Sequence, residues 1–178
     1  MNPVSLFSSY AHYNQWMNEK IYSAAAQLTA QELTQERGAF FGSIIGTMNH
    51  LIIADTLWLK RFTNHPAQFP ALEPIIALEK PAALNQLIFS ELKPLRERRE
   101  LLDKIISALI DQITAQDLAH VLHYLNTQGV AAQKPFYKLL LHFFNHQTHH
   151  RGQISTLLFQ AGVNIGVTDL LALVPDEL

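Results

Sequence analysis

The stretch Leu139 to Gln153, LLLHFFNHQTHHRGQ, carries four of the chain's nine histidines. Pro135 suits a helix's first turn, where its missing N–H leaves no bond unmade, and Gly162 suits the position just past the end. One long helix therefore covers the stretch. At about 100° per residue, with Phe136 at zero, Leu139, Leu140, Phe143, Phe144, Ile154, Leu157 and Leu158 fall within roughly 80° and form one apolar face. His150 lies about 40° from that centre and His146 about 80°, so both point inward; His142 and His149, at roughly 120° to 140°, point away. His146 and His150 are about 6 Å apart along the axis on one side. Each neutral ring carries one donor and one acceptor that burial obliges it to satisfy. The pair is therefore either two hydrogen-bonded core residues or two ligands of one metal ion. The second reading needs a third ligand from elsewhere in the chain.

The other elements follow from apolar spacing. Pro3, Leu6, Phe7, Tyr10, Tyr13, Trp16, Met17, Ile21 and Ala24 predict a first helix near residues 4–28, its aromatic stripe part of the core. Thr29 with Glu32, and Thr114 with Asp117, read as helix caps. A second long helix near 43–63 carries Ile44, Met48, Leu51, Ile52, Trp58, Leu59 and Phe62 on its apolar face. His50 sits on the shoulder of that face, and Asp55 near its middle. A carboxylate aimed into a core must be paired, hydrogen-bonded or bound to metal; Arg37 or Arg61 is the expected partner if it is paired.

Four prolines between Asn64 and Pro81 forbid a long helix and predict a long crossover, with a short turn around Ile75 to Glu79. Helical spacing resumes at Ala82, breaks before Pro94 and gives a third long helix near 94–113. Arg96, Arg98, Arg99 and Lys104 with Glu97, Glu100 and Asp103 read as a solvated face. Val121 to Gln133, turning at Gly129, predicts a small hairpin, and the histidine helix follows near 135–161. A short turn is expected at Thr168 to Leu173. Four long helices in one domain, 1–178, predict an all-α four-helix bundle with a proline-rich crossover loop. The length of that loop means that the second and third long helices need not be simple antiparallel neighbours.

Composition narrows the function. The 178 residues are 48% hydrophobic and 16% charged, with net charge −2. Without a basic stripe, nucleic-acid binding has no electrostatic support. Without cysteine there is no disulfide, thiolate ligand or cysteine nucleophile. No secretory leader and no run of about 20 apolar residues is present, so a cytoplasmic protein off the membrane is expected. Phosphate-binding loop, Gly-x-Ser-x-Gly elbow and dinucleotide fingerprint are all missing. No histidine follows a glutamate by three residues, which argues against a di-iron carboxylate bundle.

The segments YNQWMNEKI, RGAFFGSIIGTMNHLIIADTLWLKRF, HFFNHQTHHRGQ and LLFQAGV together resemble the DinB/YfiT-like proteins over nearly the whole chain. The resemblance implies a four-helix bundle, commonly dimeric, with a metal held by one histidine of the second helix and a His-x-x-x-His of the last. Carried over by position, the ligands would be His50, His146 and His150, with Asp55 supporting an imidazole from behind. The family likeness also implies one divalent metal ion, zinc or nickel first, although imidazole suits copper and iron as well. It implies a metal-dependent enzyme activating a low-molecular-weight thiol or water for transfer or hydrolysis of a small molecule. The alternative is a non-catalytic metal- or ligand-binding bundle of a stress or DNA-damage response. With no cysteine in the chain, any sulfur in the reaction must arrive on the substrate.

Overall fold

Helix capping and hydrophobic spacing set the order of the elements. The computed structural model of the protein describes residues 3–176. Helices α1 (Pro3–Ala25), α2 (Ala30–Thr34) and α3 (Ile44–Phe62) come first, then a 3₁₀ turn at Pro70–Leu72 and α4 (Glu73–Ala77). Next are α5 (Leu92–Gln112), α6 (Ala115–Ala119), the hairpin β1 (Val121–Leu125) with β2 (Ala131–Pro135), α7 (Phe136–Gln160) and a 3₁₀ turn at Leu170–Leu173. Both predicted capping boxes form, at Thr29 with Glu32 and at Thr114 with Asp117. Gly162 ends α7 at φ +87°. Its N–H bonds Phe159 O at 3.0 Å while Val163 N–H bonds Leu158 O at 2.9 Å, the paired closure of a Schellman end.

Helix α1 ends at Ala25, short of the expected Leu28, and the larger difference from expectation lies before α5. Residues 82–91 are not helical, and α5 starts at Leu92. Pro94 therefore lies in the first turn, where no intrahelical partner awaits its nitrogen, rather than breaking a longer helix.

Contacts between side chains give the directions of the long helices. Phe7 stacks on Phe144 and Asn14 meets Arg151, so α1 and α7 run parallel. Phe62 packs on Phe136 while His50 meets His146, so α3 and α7 are antiparallel. Asn49 bonds Phe89, just before α5, and Asp55 bonds Arg99, so α3 and α5 run parallel side by side. The link must return along the whole of α3, a 19-residue helix and so about 28 Å long. That is why it is long. Asn49, fully buried, fastens its far end: its Oδ1 accepts from Ile88 and Phe89 N–H, both at 2.9 Å, and its Nδ2 donates to Phe89 O and Ile45 O.

The core is one apolar cluster running from Phe7 through Ile52, Phe62 and Leu102 to Phe143 and Leu158. Helix α3 is buried on nearly every side, as expected of an element with neighbours all round. Inside this core lies a group of charges. Arg99 donates to Asp55 Oδ2 and lies 3.1 Å from Asp103; Asn14 and Asn18 donate to Asp103 at 3.0 and 2.9 Å. Arg151 donates to Asn14 Oδ1 and, at 3.2 Å, to Gln147 Oε1. All four long helices contribute.

The reading of the α5 charges as a solvated face is corrected here. Glu97, Glu100 and Lys104 are exposed, but Arg99 and Asp103 are 2% and 5% exposed. They occupy the inward face at i and i+4 because Asp55 is there to be neutralised. Arg99, not Arg37 or Arg61, is the partner of Asp55. Burial pushes the Asp55 carboxyl up to about 6 against the pull of Arg99. Burial also works against Arg99, but the two carboxylates outweigh it and hold the guanidinium charged.

Removing Arg99 leaves two buried carboxylates without their cation. Arg99→Met is expected to lower unfolding free energy by about 3–5 kcal/mol, whereas Arg96→Ala, whose exposed pair with Glu100 spans one helical turn, changes it by about 1 kcal/mol or less. Urea denaturation of the two variants checks the contrast; equal losses would mean that the buried group is not an ion cluster.

Candidate metal centre

The first turn of α3 is built for close approach. Ser43 caps it, its hydroxyl accepting from Gly46 N–H at 3.1 Å. A Cβ at Gly46 would lie 2.1 Å from Phe41 O, so only glycine lets the preceding loop fold down onto the helix. That loop turns at Gly42, φ +74°, and lays the Phe41 ring on the His50 imidazole, with centroids 3.8 Å apart and planes at 16°. From α7, His146 and His150 approach the same point. His50 Nε2 lies 3.2 Å from His146 Nε2, and the rings of His50 and His146 each lie 4.4 Å from that of His150.

The hydrogen bonds assign the protons. His50 Nδ1 lies 2.9 Å from Leu84 O, which only accepts, so Nδ1 carries the proton and Nε2 presents a lone pair. His150 Nδ1 lies 2.8 Å from Gln153 Oε1, which accepts in the same way and leaves Nε2 free. Burial is the main cause holding all three imidazoles below their ordinary pKa, with His146 brought down to about 3, the neighbouring histidines adding to it. Three imidazoles held neutral by burial and turned to one point are a set that could hold a metal ion. One nitrogen from each ring lies within 4.8 Å of the others. Ligand nitrogens about 2.0–2.1 Å from a tetrahedral zinc lie roughly 3.3 Å from one another, close to the observed His50–His146 separation of 3.2 Å. The residues fit an ion.

Two hollows meet at the rings. One, about 570 Å³, is lined by Phe40, Phe41, His50, Leu84, His149 and His150. The other, about 240 Å³, is lined by His50, Trp58, Arg61, Tyr124, His142 and His146 among others. The centre is thus open on two sides, as a site that admits a further ligand must be.

The structure brings together His50, His146 and His150 as expected, but not Asp55. The second N–H of His50 goes to Leu84 O and that of His150 to Gln153, while Asp55 belongs to the Arg99 cluster. Its support of an imidazole from behind is therefore corrected. A carboxylate fully inside the core is held by the nearest buried cation before it can serve a half-open rim. His142 and His149 are exposed, as their angle requires; His142 packs edge-on to Trp58 and His149 meets Gln153 at 3.3 Å. His65, 2% exposed, uses both nitrogens within the fold, on Asp117 O and Ala67 N–H. Of the supporting residues, only Gln153, one turn beyond His150, had a readable spacing. Leu84 acts through its carbonyl and Asn49 by fastening the loop that carries it, so side-chain patterns were silent on both.

The depressed His146 pKa fixes a pH window. In the unfolded chain the ring titrates near 6.5 and in the metal-free fold near 3, so the unfolded state takes up the proton first. Stability from the neutral ring is complete above about 6.5 and is lost progressively as pH falls toward 3. Metal-free protein should therefore lose stability between pH 7 and 4 more steeply than its His146→Gln variant. Denaturation midpoints at a series of pH values check this; parallel curves would show that His146 is not held neutral.

The family model described as DinB family matches residues 1–175. Protein DinB of Bacillus subtilis (strain 168) is 27% identical over 158 residues, 88% of this chain and 87% of that protein. A crystal structure of a DinB-like protein from Bacillus cereus ATCC 10987 superposes with a TM-score of 0.59 at 21% identity, covering 89% of this chain and 94% of that one, a likeness of fold. Among the described residues no helix is long and apolar enough to cross a membrane. On the match of its family model over almost the whole length, the chain belongs to the DinB family.

Proposed function

We propose that the four long helices form a four-helix bundle whose purpose is to present His50, His146 and His150 to one divalent transition-metal ion, zinc or nickel first, and that the protein is a cytoplasmic metal-dependent enzyme. The observation that carries this reading is the convergence of three burial-neutralised imidazoles, two of whose outer N–H groups are already committed to acceptors. Such an ion, with at least one open coordination position, would act as a Lewis acid and lower the pKa of a thiol or water at neutral pH. The chain's own residues do the rest. Leu84 O and Gln153 hold two rings in the ligating tautomer, and Phe41 shields His50 from bulk water. The chain offers no thiol of its own, so in thiol transfer the nucleophile comes with a small-molecule substrate.

Protein purified without a histidine tag should carry close to one metal ion per chain by elemental analysis. His146→Ala or His150→Ala should remove most of it, because the ligands remaining hold an ion poorly; His142→Ala, on the same helix but against Trp58, should keep it. Retention by the first two variants sinks the ligand assignment. Turnover with thiol donors or simple esters by metal-loaded protein supports an enzyme, and full metal content without turnover supports a binding bundle instead.

We further propose that the protein is a homodimer, on the family resemblance and the apolar side chains that α1 leaves outside, such as Leu6 at 46% exposure. Light scattering at micromolar concentration should then give twice 20.2 kDa; a monomer mass would end this reading.

A further inference from the structure

The smaller hollow at the histidines continues outward into a larger one of about 670 Å³, and the two share Leu57, Arg61, Leu84, Asn126 and Thr127. Three cations, Lys60, Arg61 and Lys80, line the larger one, and among the described residues no carboxylate lines either. That sorting is informative in a chain whose 15 acidic residues outnumber its 13 lysines and arginines. The three cations are not equivalent. Lys60 turns back on the carbonyls of Ile75 and Ile76, at 2.8 and 3.2 Å, and is spent on the fold.

Arg61 is held but not spent. Its Nε donates to Leu125 O at 3.1 Å, and its guanidinium lies over the Trp58 ring at 4.5 Å and near the Tyr124 ring at 5.4 Å. Both terminal nitrogens lack a partner among the described residues, and neither is shut away from solvent. A guanidinium fixed in plane by stacking and by one N–H, with its remaining donors open, is pre-organised for an oxyanion, because little side-chain freedom is left to lose on binding. Lys80, exposed and without a partner among the described residues, lines the same space from the crossover.

We propose that Arg61 and Lys80 form an anion subsite, and that the substrate of the histidine centre carries a carboxylate or phosphate which this subsite holds while its reacting end lies at the histidines. The location of the reacting end rests on the metal-centre reading; the anion subsite itself does not.

The two tryptophans of the chain are Trp16 and Trp58, so Trp16→Phe leaves Trp58, under the Arg61 guanidinium, as the sole indole reporter. Fluorescence titrations of this protein, metal-free and zinc-loaded, use succinate, inorganic phosphate and, as the uncharged match, succinamide. A saturable change with either anion and none with succinamide is expected, and the tighter of the two anions assigns carboxylate or phosphate. Arg61→Gln should weaken the anion about tenfold, the worth of one charge-assisted hydrogen-bonded contact. Lys80→Gln should weaken it by a smaller factor, and Lys104→Gln, a distant exposed cation, should leave it unchanged. No saturation with either anion, or equal losses for Lys80→Gln and Lys104→Gln, overturns the subsite. Should Arg61→Gln unfold the hairpin contact, the Lys80 and Lys104 pair still decides. Anion binding by protein that never takes up metal would keep the subsite and sink only the metal centre.

Discussion

Four helices that bury an arginine between two aspartates have little freedom to slide. Apolar packing alone tolerates shifts of register, since one methyl group replaces another at small cost. A buried charge does not, because moving its partner away leaves it uncompensated in a poor solvent for ions. Asp55 on α3, Arg99 and Asp103 on α5, Asn14 and Asn18 on α1, and Arg151 on α7 form one chain of such partners. The cluster is paired in sign, two guanidinium groups against two carboxylates. It fixes α3 against α7 along the axis, and that offset is what sets His50 opposite His146. The geometry of the three histidines therefore depends on charges that never touch them.

Most of the helical frame was legible because it obeys local rules. Pro135 and Gly162 bracket α7 as their backbone chemistry demands, and the two capping boxes mark α2 and α6. The inward pair His146 and His150 followed from spacing together with the apolar face of the helix. His50 did not, because α3 is buried nearly all round and a wheel that assumes one wet face cannot rank its positions; the family resemblance supplied it. Arg99 and Asp103 were misread for the opposite reason. They sit in a run of charges, and local sequence does not reveal that a carboxylate forty-four residues earlier waits inside. Asp55 was rightly placed in the core and wrongly given its neighbour, since pairing is a tertiary fact.

The crossover resolves a conflict between burial and access at the three histidines. Ligand imidazoles must be neutral and fixed, which favours burial, yet the ion must be reachable. Parallel α3 and α5 require the chain to travel back outside the packed helices, and this returning segment covers His50 only in part. Asn49 binds it beside His50, so Leu84 O arrives where the imidazole N–H needs an acceptor. A backbone carbonyl is a weaker hydrogen-bond acceptor than a carboxylate, so it fixes the tautomer without adding a negative charge to the site. The centre keeps whatever positive charge an ion brings.

That absence of nearby negative charge shapes what the centre can attract. A three-histidine ion would carry its full double charge toward its open positions, where a ligating carboxylate would have cancelled part of it. The hollow beside it adds Arg61 and Lys80 and, among the described residues, no acid, so the charged side chains that line the approach are of one sign. On the proposed reading, an anionic nucleophile, whether a thiolate or a substrate bearing an oxyanion tail, would be drawn inward along such a path and a cation turned away. The hollow on the Phe40 and Phe41 side offers aromatic carbon instead, a surface for an uncharged partner. Two approaches of different character, meeting at one set of rings, are the arrangement that bringing two unlike reactants together would require.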